Sequence, residues 1–274
     1  MHLSALLIHP VKSLRGCAVG SAAIDERGIV GDRRFMVTGP DGAFLTQRTL
    51  PRMALVATRL DDEHLTLHAA GHGSVRVPRA GDPGAGRIRV NVWQSEGLLA
   101  EDCGEEAAAW LSGFLAARCR LVRAGADFRR PVRRAPAGFG DRQVGFADAF
   151  PGLLLSEASL AGLNDRLVEN GAEAVPMDRF RPNLVIAGAT PHAEDAWNRV
   201  RIGDIFFRSA GPCARCVVTT TDQETGERGP EPLRTLAGYR RDPAKPADVN
   251  FGLNVIPETT GGTIRVGDPV TAYS

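Results

Sequence analysis

Short alternating or β-branched runs, each cut off by turn residues, dominate the first ninety or so positions of this chain. Punctuation this frequent leaves no room for long helices and constrains that half to a sheet of short strands. The runs are Leu3 to Ile8, Val19 to Ile24, Arg34 to Val37, Phe44 to Gln47, Ala54 to Leu60, Leu65 to His68, Val75 to Val77 and Ile88 to Val92. They predict a small β-barrel or folded-over sheet. The turns are explicit: "GPDG" at 39–42 and "GHG" at 71–73 supply residues that tolerate positive φ, and "GDPGAG" at 81–86 reads as a flexible loop tip.

Helical spacing first appears in "EEAAAWLSGFLAARC" at 105–119, which puts Trp110, Leu111, Phe114 and Leu115 on one face, and a new strand begins at Leu121-Val122. A second helix is expected over 157–169, with Ser156 as N-cap and Asn170-Gly171 as its stop, and a third around 231–239. The remainder alternates strand and turn. The pattern predicts an α+β protein with mostly antiparallel sheet, in two parts, 1–122 and 123–274. Close to that joint lies "DFRRPVRRAPAGFGDRQ", 127–143, whose arginines read either as a solvated loop or as the edge of a site or a dock for an acidic partner.

Lys+Arg 33 against Asp+Glu 32 leaves a net charge of +1, so no global basic field draws the chain to nucleic acid, and any anion binding has to be local. No apolar run approaches the roughly 18 residues that span a bilayer, and "MHLSALLIHPVKS" has neither the basic n-region nor the cleavage site of a secretion signal. The expectation is a cytoplasmic protein without a membrane partner. The five cysteines, at 17, 103, 119, 213 and 216, have no regular spacing and fit reduced thiols.

Only Cys213 and Cys216, in "GPCARCVVTTTD", form a motif. Structural zinc would need two further ligands, and iron–sulfur ligation further cysteines at typical spacings. A thioredoxin-type dithiol needs its first cysteine at a helix start, whereas Val217, Val218, Thr219, Thr220 and Thr221 favour a strand. Two readings stay open from the residues alone: one thiolate serving as a ligand, or two small side chains packed at a strand end.

The motif has company. In order along the chain stand "HPVKSLRG" (9–16), "GIVGDRRFMV" (28–37), "FLTQRTLPRMALV" (44–56), "FADAFPGLLLSEASLAGLN" (146–164), "RFRPNLVIAG" (179–188), "CARCVVTTTDQETG" and "FGLNVIPETTGGTIRVGDPV" (251–270). Together they resemble the MOSC proteins that pair an N-terminal β-barrel with the domain also found at the end of molybdenum cofactor sulfurase, and most of all the amidoxime-reducing group. That resemblance implies a β-rich barrel-like domain packed on a MOSC β-barrel with peripheral helices. It also implies a molybdenum cofactor held through pterin and phosphate, and Cys216 as the one protein ligand to the metal.

An anionic, pterin-bearing cofactor needs charge-assisted donors with planar forks and a few amides. By the resemblance the donors are Lys12 and Ser13 in "HPVKS", Arg33 in "GDRRF", Arg48 in "TQRT", Arg181 and Asn183 in "FRPN", and Asn254 in "FGLN", with Asp148 in "FADAF" an acidic member of the same site. Strand alternation would send Arg33 and Arg34 to opposite faces, Pro182 would hold Arg181 extended, and Arg215 would favour the Cys216 thiolate. Cys213 reads as a buried thiol or turn residue. The resemblance further implies reduction of N-hydroxylated bases to amines with release of water. Without late cysteines before Ser274 and with no Gly-x-Gly-x-x-Gly opening a helix to hold a nicotinamide, the expectation is that electrons come from a separate donor, a reductase or a small ferredoxin-like or cytochrome protein. The rival expectation is a cofactor or sulfur carrier that does not turn over such compounds.

Overall fold

The computed structural model describes residues 1–82 and 84–274. The loop tip expected at 81–86 contains Pro83, which lies outside the described residues. The fold is α+β, built on an eight-stranded sheet whose order is Val270–Tyr273, Arg199–Ile202, Ile205–Ala214, Asn250–Pro257, Gly152–Ser156, Leu184–Ala187, His2–Ile8 and Cys17–Val19. Every neighbouring pair is antiparallel except Gly152–Ser156 with Leu184–Ala187, which run parallel. A parallel pair needs a crossover, and the helix Glu157–Glu169 supplies it.

That helix starts and stops where its local chemistry directs. Ser156 Oγ accepts the Ser159 N–H at the N-cap, Asn170 is the C-cap, and Gly171 follows with φ +73°. The other two helices are Glu105–Leu115 and Leu233–Tyr239. The first ends four residues short of 119 because Ala116 turns left-handed. None of the described helices is long and apolar enough to cross a membrane.

The first half folds into smaller sheets: Phe35–Thr38, Arg120–Arg123, Ser95–Asp102 and Arg87–Val92 in one, and Ala57–Leu60, His64–Ala69 and Gly73–Pro78 in another. Leu111, Phe114 and Leu115 of the first helix close over the second of these with Val37, Leu65 and Leu67. Strand pairing crosses from one half of the chain to the other. His2–Ile8 pairs with Leu184–Ala187, and Ser21–Asp25 with Thr263–Arg265. The run 19–24 is therefore two strands, split at Gly20 between two sheets.

Two expected strands are replaced by turns. Residues 44–47 make only a single bridge at Phe44; Thr46 Oγ1 accepts the Arg48 N–H and its carbonyl the Leu50 N–H, which curls the chain. Residues 217–220 form a 3₁₀ turn, with the Thr219 and Thr220 hydroxyls donating back to the carbonyls of Cys216 and Val217. Threonine's β propensity loses to this local hydrogen bonding once both side chains are buried. The strand argument against a dithiol therefore falls.

Candidate functional site

A cleft of about 530 Å³ opens between the two halves, and all ten residues singled out from the sequence line it: Lys12, Ser13, Arg33, Arg48, Asp148, Arg181, Asn183, Arg215, Cys216 and Asn254. Arg134, Lys245, Asp242 and Asp248 join them, so seven cations face three acids. In a chain of net charge +1 this is a local positive field.

The backbone explains why the cations converge. Lys12 and Ser13 follow the first strand, with Ser13 at φ +65° and the Lys12 N–H bonded to the Phe35 carbonyl. Arg33 is not on a strand: it turns left-handed at φ +45° just after Gly31, and this turn, rather than strand alternation, separates it from Arg34. Arg34 points away to Asp25. The Arg33 carbonyl accepts the Phe146 N–H at 2.8 Å, and a Cβ on Gly145 would lie 2.5 Å from that oxygen, so only glycine lets "GFAD" pass this close.

Asp148 lies between two cations. Lys12 Nζ bonds one carboxylate oxygen, and Arg48 Nη2 the other at 2.9 Å. Partial desolvation in the cleft would push the half-exposed Asp148 carboxyl up, but Lys12 and Arg48 outweigh it and hold it well below the usual carboxylate range. The Asp148 loop is pinned from behind by Arg130, 4% exposed, which donates to the carbonyls of Gly145, Ala147 and Asp148. Within the arginine-rich stretch, then, Arg130 is a buried staple and Arg134 a cleft wall.

Asn183 lines the cleft, yet its amide is engaged within the protein. Oδ1 accepts from Arg33 Nη1 and the Leu153 N–H, and Nδ2 donates to the Leu7 carbonyl. Asn183→Ala should therefore cost about 2–3 kcal/mol by orphaning buried partners, read as a lower urea midpoint. A cost below about 0.5 kcal/mol would show that water takes over these bonds. Asn254 Nδ2 likewise donates to the Pro212 carbonyl.

Arg181 differs from all of these. It ends the turn Met177–Phe180 in a left-handed conformation, φ +55°, instead of the extended one expected before proline. The chain tolerates this because the Arg181 N–H closes onto the Asp178 carbonyl and the Arg181 carbonyl accepts from Arg33 Nη2. Its side chain is 9% exposed, and Nη2 is buried with no partner among the described residues. Burial, and Arg33 beside it, pull the guanidinium down to about 9. A desolvated cation with no acceptor is a costly feature of a fold unless an anion completes it.

The two cysteines are free thiols at one end of the cleft and meet different guanidiniums. Arg48 Nη2 donates to Cys216 Sγ at 3.3 Å, while Arg215 Nη1 donates to Cys213 Sγ at 2.9 Å and Nη2 to the Phe180 carbonyl. The cation at Cys216 is thus Arg48 and not its chain neighbour Arg215. Cys213 is half-buried at the end of a strand and lines the cleft instead of filling a core. Among the described residues no three His, Cys, Asp or Glu side chains converge to hold a metal ion.

Residues 1–118 match the MOSC N-terminal beta barrel domain and residues 141–271 the MOSC domain. The chain is 39% identical to mitochondrial amidoxime-reducing component 1 of Mus musculus, over 98% of this chain and 81% of that protein, and 36% identical to its Homo sapiens counterpart over 98% and 82%. It is 31% identical to molybdenum cofactor sulfurase of Oryza sativa subsp. japonica, over 92% of this chain and 32% of that larger protein.

Proposed function

The chain belongs to the MOSC family, alongside the amidoxime-reducing components, and from that premise we propose that it is a molybdenum-cofactor-dependent reductase of N-hydroxylated bases. The observation that carries the reading is Arg181, a buried guanidinium that lines the cleft and makes no side-chain hydrogen bond among the described residues. A phosphate- and pterin-bearing anion supplies what it lacks, and the surrounding cations fit the same group.

Arg181, Arg33 and Lys12 hold the anionic part, and Asn183 fixes Arg33 from below. Cys216 offers one thiolate, a soft ligand suited to a soft metal, and Arg48 orients the sulfur while Asp148 orients Arg48. The bound cofactor supplies the two-electron chemistry that converts N–OH, with two protons, to N–H and water. Ser13 and Asn254 complete the wall. Electrons come from a separate donor protein.

Purified protein should carry stoichiometric molybdenum with pterin, and should release the amine from an N-hydroxylated purine when given an artificial reductant. Arg33→Ala should lower molybdenum occupancy after gel filtration about tenfold or more, because it removes a charge-assisted contact of roughly 1.5–3 kcal/mol; Arg33 also bonds Asp32, Asn183 and the Arg181 carbonyl, so occupancy is read beside a melting curve. Full occupancy in that variant sinks this map of the site. Molybdenum present without amine release would favour the carrier reading, which draws on the similarity to the sulfurase.

A further inference from the structure

A second cavity lies behind the wall of the first. Gly31, Arg34 and Phe35 line it, whereas Arg33 lines the cleft, so the turn at 31–35 has a cleft face and a rear face. No residue lines both. The rear cavity holds about 170 Å³, room for roughly five waters at ~30 Å³ each. Its charged lining is four arginines, Arg27, Arg34, Arg79 and Arg123, and a single acid, Asp25. Separate strand ends bring them together: Asp25 closes Ser21–Asp25, Arg123 closes Arg120–Arg123, and Arg79 follows Gly73–Pro78.

Three of the guanidiniums are held by one edge and open at the other. Arg34 Nη2 donates to Asp25 Oδ1 and the Ile29 carbonyl, Arg123 Nε to Glu101 and Nη1 to the Pro78 carbonyl, and Arg79 Nη1 to the Asp61 carbonyl. Arg34 Nη1, Arg123 Nη2 and Arg79 Nη2 make no hydrogen bond among the described residues. Arg27 is fixed by the carbonyls of Ala124, Gly125 and Phe128, with its side chain 9% exposed, and its Nε is buried without a hydrogen-bond partner. Glu26, 3.5 Å from Arg27, and Asp62, 3.9 Å from Arg79, are exposed carboxylates that water screens. Only Asp25 and the buried Glu101 then offset the four cations closely, which leaves positive charge in excess.

From this geometry we infer that the rear cavity binds a phosphate group, either the free ion or the end of a small phosphate monoester. Three open guanidinium edges call for three acceptor oxygens and about two negative charges, which phosphate has and a carboxylate lacks. Planar forks fixed by carbonyls are already oriented for such an ion, so little side-chain entropy is lost when it binds. Burial, and Arg34 beside it, pull the Arg27 guanidinium below its ordinary value, as cations crowded without an anion between them require. The site is independent of the reductase reading, since none of its residues faces the cleft.

Calorimetric titration of the purified protein with inorganic phosphate, and separately with glycerol 3-phosphate, tests the site. Arg79→Glu reverses the charge of the most exposed of the four arginines, and Arg181→Met serves as the control because its lesion lies in the cleft. One phosphate-binding event should weaken about tenfold or more in Arg79→Glu and persist in Arg181→Met. Arg79→Gln, which adds no charge, should show a smaller loss in the same direction, and it decides the matter if a melting curve shows the first variant misfolded. A monoester that binds about tenfold tighter than phosphate identifies the ester as the ligand, and equal affinity identifies the free ion. Wild-type affinity and stoichiometry in the folded Arg79 variants overturn the inference. So does the loss of every phosphate event in Arg181→Met, which would put all of the binding in the cleft. A wild-type protein that takes up no phosphate in the millimolar range overturns it as well.

Discussion

Replacing Cys216 by alanine is expected to lower N–OH reduction more than about 100-fold, since even outer-shell partners of a metal cost 10- to 100-fold when removed and Cys216 is proposed as the direct ligand. Cys213→Ala should stay within about twofold of wild type, because a change at a partly exposed position shifts energies by only ~0.5 kcal/mol. The geometry supports the asymmetry. Cys216 Sγ faces Arg48, which is itself held by Asp148, whereas Cys213 Sγ accepts from Arg215, which keeps the Phe180 carbonyl as a second partner. The cofactor can survive the loss of Cys216, because Lys12, Arg33 and Arg181 grip its anionic part independently of the sulfur. Activity therefore has to be read beside molybdenum content and a melting curve for each variant. Equal loss in two folded, metal-replete variants would show that the pair acts as a unit, and the single-thiolate assignment would be dropped.

What could be read in the sequence follows a physical division between local and distant causes. The helix 157–169 was legible to the residue because its cap, Ser156, and its stop, Asn170-Gly171, act through bonds within one turn. The strand Ser95–Asp102 was not, since "SEGLLAED" carries three acids. Glu101 is tolerated there only because Arg123, its partner across the sheet, pairs with it at 2.9 Å and both are buried. The residues after Cys216 misled for the opposite reason, a local one: the Thr219 and Thr220 hydroxyls have backbone acceptors three residues back and turn the chain where β propensity predicts a strand.

The candidate site shows the same division. The motifs named its members, because each is a chemically distinctive residue in a short pattern. The pairing among them was hidden. Arg215 is the chain neighbour of Cys216, but Arg48, distant in sequence, is its neighbour in space. Arg130 lies in a stretch that reads as surface, and its burial becomes evident only when the carbonyls of 145–148 close around it.

Arg181→Met should move stability and cofactor binding in opposite directions. Methionine keeps most of the apolar stem and takes the same left-handed backbone at no new cost, but it removes a charge for which the described residues supply no side-chain partner and which sits beside Arg33. Breaking a buried pair is destabilising, but no side-chain pair exists here to break, so the cofactor-free variant should be about 1–3 kcal/mol more stable than wild type, measured by urea unfolding. The same change removes a charge-assisted contact of roughly 1.5–3 kcal/mol to a bound anion, so retention of molybdenum and pterin through gel filtration should fall about 10- to 150-fold. Stability given up for a charge that only a ligand satisfies is the mark of a binding residue. A structural arginine would behave in the reverse way, its loss destabilising the empty protein and leaving retention untouched. That pair of results would remove Arg181 from the site, and with it the observation on which the proposed function rests.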